Sequence, residues 1–195
     1  MTTVTKFSDL DLTKQYSYSD YLLWQFQERV ELIKGIIMKM SPAPSMRHQR
    51  ISTNLTGSFY ENFKRKPCNV FAAPFDVRLP IPNNQKDTTI VQPDLCVICD
   101  DTKLFKGGCD GTPDLCVEII SPGNSKHDIH TKFNLYQEAG VLEYWMVEPV
   151  ERMILIYTLV NGKYIGLRPF VEGDFVESPL FPDLKIALED VFYRV

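Results

Sequence analysis

The chain has 195 residues, 44% hydrophobic and 24% charged, with a formal net charge of −4. This length and balance favour one soluble domain with a real core, assigned to residues 1–195 with 1–17 as an N-terminal extension. They argue against a membrane span, since no run approaches roughly 18 apolar residues, and an acidic chain is not built for strong non-specific binding to nucleic acid.

The N-terminus "MTTVTKFSDLDLTKQ" lacks the basic, apolar and small-residue blocks of a signal peptide. Five cysteines, an odd number, form no dense framework. A reduced, cytoplasmic setting is the expectation. Ser19 is placed to cap a first helix over "DYLLWQFQE". "RVELIKGIIMKMS" reads as a hairpin turning at Lys34-Gly35. After the break "SPAPS", Ile51, Leu55, Phe59 and Phe63 recur every four residues and predict a helix from about Met46 to Lys66, closed by Pro67. The basic cluster Lys64, Arg65 and Lys66 at its end reads as a solvated helix terminus.

"NVFAAPFDVRLPIP" predicts the next strand region, with "NNQKD" as a polar turn. Two strands follow, "QPDLCVICD" and "TPDLCVEII", which repeat Pro-Asp-Leu-Cys-Val around a "KGGCDG" loop. Cys96 and Cys99 form a CxxC, but residues three apart on a strand face opposite ways and there is no second CxxC, so packing is favoured over zinc or redox chemistry. Past the loop "SPGNS", Ser125 with Asp128 three residues on resembles a capping box. Ile129, Phe133, Tyr136 and Ala139 give the helix that follows one apolar face, and Gly140 ends it. "EYWMVEP" is a strand, "MILIYTLV-NG-KYIGLRPF" a hairpin with an Asn-Gly turn, and two short strands and "LEDVFYRV" close the chain. The order predicts an α/β or α+β fold: a central mixed sheet flanked by helices, with an antiparallel C-terminal meander.

If the two PDLCV strands pair as an antiparallel hairpin, Asp94 lies opposite Glu118, with Cβ atoms about 5 Å apart. Asp114 falls at the loop end, roughly 13 Å along the strand from Glu118. Two carboxylates side by side in an apolar sheet repel one another unless a cation lies between them, and oxygen donors favour Mg²⁺ or Mn²⁺. The alternative is a solvent-facing Glu118 and an Asp94 that merely follows a turn proline. In the Lys34-Gly35 hairpin Glu31 faces Met38 and shares its side with Ile33, Ile36 and Met40. It is there either through a different register or as a buried carboxylate with a task. Lys132 borders the apolar stripe of its helix and can reach the adjacent strand end, although helical lysines are mostly solvated. His48 stands three residues before Ile51 on the core side of its helix, where a core or capping histidine is the competing assignment. No GxGxxG, phosphate loop, GxSxG or HExxH is present.

"VELIKGIIMKMSPAPSMRHQRI", "QPDLCVI", "PDLCVEIISPGNSKHDIHTKFNLYQEAGVLEYWMVEP" and "ILIYTLVNGKY" together resemble the Uma-type family of putative restriction endonucleases, within the PD-(D/E)XK nuclease superfamily. The resemblance spans about residues 18 to 190 and is most specific from Glu118 to Glu148, where Lys132 and Tyr136 stand four apart. It implies a restriction-endonuclease-like core. Asp94 would be the Asp of the PD motif, Glu118 the second acid and Glu31 a third, together the metal ligands. Ile120 stands where the simple motif has lysine, and the resemblance moves that lysine to Lys132. His48 and Tyr136 are accessory positions of the same pattern. The implied activity is Mg²⁺- or Mn²⁺-dependent hydrolysis of DNA phosphodiesters, double-stranded DNA being the expected partner and a homodimer the expected assembly for cutting both strands. The alternative is a catalytically inactive nucleic-acid- or protein-binding module on the same fold, which the acidic charge favours. A third reading is hydrolysis of a small phosphate ester.

Overall fold

Lys34 and Gly35 have φ of 52° and 83°. This is the left-handed pair that a tight two-residue hairpin turn requires. They fold β1 (Val30–Ile33) onto β2 (Ile36–Lys39) in the predicted register, Glu31 opposite Met38. The computed structural model describes residues 3–40, 43–82, 84, 87–121 and 126–195. The predicted Ser125–Asp128 cap lies outside the described residues.

The first helix differs from expectation. Ser17, not Ser19, caps it, in a capping box with Asp20, and α1 (Tyr18–Tyr21) is one turn long. Tyr21, the last residue of the helix, and Trp24 and Phe26 beyond it pack with Phe7 and Tyr16 over Leu32 and Ile90. The N-terminal residues are thereby fixed to the β1–β2 hairpin. Ser45 Oγ accepts from His48 N and starts α2 (Met46–Phe63), which buries Ile51, Leu55, Phe59 and Phe63 as predicted.

The predicted strand region 69–82 is two strands in different sheets. β3 (Asn69–Ala72) and β4 (Val77–Arg78) are separated at Pro74, which has no N–H for a ladder. β5 (Ile90–Val91) precedes β6 (Leu95–Ile98), the first PDLCV copy. β7 (Leu104–Phe105) and β8 (Gly108–Asp110) lie between the copies, and β9 (Leu115–Ile119) is the second. β6 and β9 pair antiparallel with Leu95 opposite Val117 and Cys96 opposite Cys116, the predicted register. The link between them is not a plain loop. It leaves the sheet as the β7–β8 hairpin, and β8 pairs parallel with β4. Gly108 (φ 142°) permits this, because a Cβ there would lie 2.1 Å from the Asp76 carbonyl oxygen.

The chain continues through α3 (Lys126–Ala139), β10 (Glu143–Glu148), β11 (Met153–Val160), β12 (Lys163–Gly166), β13 (Phe175–Glu177), β14 (Lys185–Ala187) and α4 (Leu188–Val191). Gly140 (φ 82°) ends α3, and Asn161-Gly162 (49° and 75°) turns β11 into β12, as expected. The described residues form two six-stranded mixed sheets rather than one, ordered β2-β1-β5-β4-β8-β7 and β12-β11-β10-β9-β6-β3, with β13–β14 as a separate pair. β10 to β12 are the predicted antiparallel meander, and β10 runs parallel to β9.

Alternation along β6, β9 and β10 divides the second sheet's side chains between two layers. Leu95, Val97, Leu115, Val117 and Trp145 meet α2 and α4, while Cys96, Ile98, Cys116 and Tyr144 meet α3. Glu118 shares the parity of Cys116 and so faces α3. Cys96, Cys109 and Cys116 are buried thiols, consistent with packing. Cys99 departs from the expectation of reduced cysteines. It is disulfide-bonded to Cys68, because the β3–β6 register, Asn69 opposite Ile98, brings the two together one position further on. No helix among the described residues is long and apolar enough to cross a membrane.

One buried carboxylate is structural. Glu143 Oε1 accepts from Trp145 Nε1 (2.6 Å) and Ser178 Oγ (2.7 Å), and Oε2 accepts from Leu180 N (2.8 Å). Glu143→Ala leaves three donors without a partner and should destabilise the protein by roughly 2–4 kcal/mol. Urea unfolding measures this.

Candidate active site

Glu118 is the fourth residue of β9 and projects toward α3, where Lys132 and Tyr136 are one helical turn apart on the facing side. Tyr136 OH donates to Glu118 Oε1 (2.5 Å), and Lys132 Nζ donates to the same oxygen (3.2 Å). Lys132 Nζ also donates to Glu31 Oε1 (2.7 Å), which takes a second bond from Gln92 N (2.7 Å). The lysine therefore bridges carboxylates from the two sheets. Asp94, just before β6, accepts from Ile119 N at Oδ2 (2.8 Å) and shares a hydrogen bond with His48 Nε2 on the same oxygen (3.2 Å). The β6–β9 register extended by one residue sets Asp94 opposite Glu118.

All six sequence-predicted residues gather here. Glu31, His48, Asp94, Glu118 and Lys132 line one open cleft of about 180 Å³, and Tyr136 lies buried beneath it. Asp114, the aspartate of the second PDLCV copy, does not join them. Its Oδ2 accepts from Cys99 N (2.8 Å) at the far end of the strand pair. Among the cleft residues that escaped the sequence reading are Arg29 and Gln92, joined by a bond from Arg29 Nη2 to Gln92 Oε1 (2.7 Å). Gln92 stands directly before the Pro-Asp pair, and Arg29 two residues before Glu31, so adjacency to both acids was the available signal.

Three carboxylates face the Lys132 ammonium and the His48 imidazole, with Arg29 and Lys39 at the exposed edge of the cleft. Burial pushes the Glu118 carboxyl up to about 7; Lys132 opposes this, the charges of Asp94 and Glu31 add to it, and the Tyr136 hydrogen bond opposes it. Burial alone would lower Lys132, but the charges of Glu118 and Glu31 prevail and hold it above its ordinary range. Burial likewise works to lower His48, and the hydrogen bond and charge of Asp94 outweigh it, leaving the imidazole above its usual value. Burial and the adjacent Glu118 keep the Tyr136 phenol far above its usual range, so it is a hydrogen-bond donor.

Among the described residues no three His, Cys, Asp or Glu side chains converge as a ready-made metal cage. The donors on the two opposed acids fall on Glu118 Oε1 and Asp94 Oδ2, and Glu31 is engaged by Lys132 and Gln92 N. The donor chemistry still fits a hard divalent cation. The side-chain oxygens of Asp94 and Glu118 are opposed across two strands, and a cation between them would favour the charged form of Glu118, which burial first and the nearby Asp94 and Glu31 second disfavour.

A family model named Uma2 and described as "Putative restriction endonuclease" matches residues 18–189. An uncharacterized protein of Synechocystis sp. is 29% identical over 133 residues, 67% of this chain and 67% of its own length. A crystal structure titled as a putative nuclease belonging to DUF820, from Anabaena variabilis, superposes with a TM-score of 0.70 at 18% identity, covering 91% of this chain and 97% of that one. That likeness concerns the fold, and it bears out the expected restriction-endonuclease-like α+β architecture.

Glu118 predicts a pH dependence of the metal-free protein. Its folded pKa, about 7, lies above the unfolded value near 4.5. The stability it contributes is therefore complete below about pH 4.5 and lost as pH rises through 7, by a few kcal/mol at most. Glu118→Gln should remove this slope, so the stability difference between variant and wild type should grow in the variant's favour from pH 5 to 8. Urea midpoints across that range measure it, and Mn²⁺ added at pH 8 should stabilise wild type only.

Proposed function

We propose that this chain, which belongs to the Uma2 family of putative restriction endonucleases, is a single-domain, divalent-metal-dependent endonuclease that hydrolyses DNA phosphodiester bonds. The observation that carries the reading is the buried Glu118, opposed to Asp94 and sharing Lys132 with Glu31. Apolar packing gives no reason to gather these acids in one cleft, whereas metal-assisted hydrolysis uses opposed carboxylates to hold a cation.

Asp94 and Glu118 would hold Mg²⁺ or Mn²⁺. When bound, such an ion supplies Lewis acidity toward the phosphate and lowers the pKa of a coordinated water. The protein's own side chains do the positioning. Tyr136 fixes the Glu118 carboxylate from below, and His48 with Ile119 N fixes Asp94. Glu31 holds Lys132 beside the cleft and would continue to do so if Glu118 held a cation. The ammonium then stabilises negative charge as it develops on the phosphoryl oxygens. A symmetric duplex site would be cut by two such clefts, one from each chain of a dimer.

A second reading, a binding module without catalysis, is favoured by the net charge of −4 and by the lack of a three-ligand cage among the described residues. Titration calorimetry with Mn²⁺ and a plasmid-nicking assay separate the two. Wild type should bind metal and nick DNA. Glu118→Ala should lose both, and Lys132→Ala should keep metal binding while cleavage falls about 100-fold or more. The nuclease reading is overturned if wild type binds no metal and cleaves no more than Glu118→Ala.

A further inference from the structure

Gln92 makes three polar contacts at the cleft. Its N–H donates to Glu31 Oε1 (2.7 Å), its side-chain Nε2 donates to Asp76 Oδ1 (2.7 Å), and its Oε1 accepts from Arg29 Nη2 (2.7 Å). Asp76 Oδ1 is also held by Tyr21 OH (3.3 Å). These contacts fix the orientation of the amide. A carboxylate such as Asp76 only accepts, so Nε2 must face it and Oε1 must face the guanidinium.

Arg29 is therefore held by a neutral acceptor. None of the ion pairs among the described residues involves it, in contrast with Lys132, which is paired with both Glu31 and Glu118, and Arg78, which is paired with Asp87 and Asp110. It is exposed and lines the same cleft as the three acids. One of its five N–H donors is used by Gln92, leaving a full charge and most of a fork suited to paired phosphate oxygens. A phosphodiester approaching this cleft meets carboxylates, and the chain carries a net −4. An unpaired cation fixed at the rim supplies the attraction that the cleft floor lacks.

We infer that Arg29 binds a non-bridging phosphate oxygen of the DNA backbone next to the scissile position, and that Gln92 is the positioning residue that aims it and ties it to Glu31. This rests on the nuclease reading of the cleft and adds the contact that holds the substrate there. Lys132 sits between acids and answers charge made during reaction, whereas Arg29 answers charge already present on the substrate.

The test is fluorescence anisotropy with a labelled, mixed-sequence DNA duplex in Ca²⁺ buffer at several salt concentrations, with plasmid nicking in Mg²⁺ measured separately. Arg29→Ala should weaken binding about tenfold or more. It should also lower the slope of log Kd against log salt by about 0.9, the value for one lost phosphate contact. Arg29→Lys should restore the slope but only part of the affinity. Gln92→Ala should weaken binding with Arg29 present and add nothing in the Arg29→Ala background, because it acts through Arg29. The inference is overturned if wild type does not bind the duplex, if Arg29→Ala leaves affinity and slope unchanged, if the two substitutions act additively, or if inorganic phosphate displaces the duplex at the duplex's own concentration. If binding depends on Arg29 but wild type nicks no plasmid, the contact stands and the nuclease reading falls.

Discussion

The structure around the cleft depends on keeping one carboxylate, Glu118, inside a strand, β9, whose other residues are apolar. An isolated buried carboxylate is costly enough that it would give up its charge. Here Lys132 and Tyr136 both donate to Oε1, and the lysine's second carboxylate, Glu31, belongs to the other sheet. The ammonium thus joins β9, α3 and β1. Removing any member leaves the others uncompensated, and so the two sheets, which contribute separate strands, share one site. The compensation does not cancel the cost of burial, and the Glu118 carboxyl is raised to about 7.

Much of this was legible in the sequence because it followed from periodicity and turn chemistry. The Lys34-Gly35 and Asn161-Gly162 turns fix the registers of their hairpins through left-handed residues. The four-residue recurrence of Ile51, Leu55, Phe59 and Phe63 fixes the buried face of α2. The pairing of the two PDLCV copies set Asp94 against Glu118, since their side-chain parity follows from register alone. That separates the two aspartates of the repeat: Asp94 reaches the cleft, while Asp114 holds a backbone N–H at the opposite end.

What escaped the sequence depends on contacts between distant segments. The link between the PDLCV strands has the composition of a loop, yet it becomes β7 and β8 because β4 is there to pair with it and Gly108 can pass the Asp76 carbonyl. The first helix ends after one turn, where Trp24 and Phe26 join an aromatic cluster with Tyr21, Phe7 and Tyr16. Cys68 and Cys99 are 31 residues apart and meet only once β3 and β6 are in register. Arg29 and Gln92 stand beside the two acids in sequence, but adjacency alone does not show that the Gln92 amide lies between an arginine and an aspartate.

The position of the lysine ties this site to the docking of a helix. Ile120, two residues past Glu118, stands where a strand lysine would share its face, and it packs instead with the partly buried apolar residues of the α3 layer. A strand-borne lysine would be fixed by the sheet whatever α3 did. Lys132 is in place only while α3 is seated, and α3 is held near the cleft by the bonds from Lys132 and Tyr136 to Glu118 as well as by Leu135 and Ala139 in the core. Charge in the cleft and the seating of the helix are therefore coupled. If Glu118 is protonated, the attraction to Lys132 weakens and Tyr136 competes with a carboxylic acid rather than bonding a carboxylate. The bond from Lys132 to Glu31 is the one that does not depend on Glu118, and it ties the ammonium to the hairpin of the other sheet.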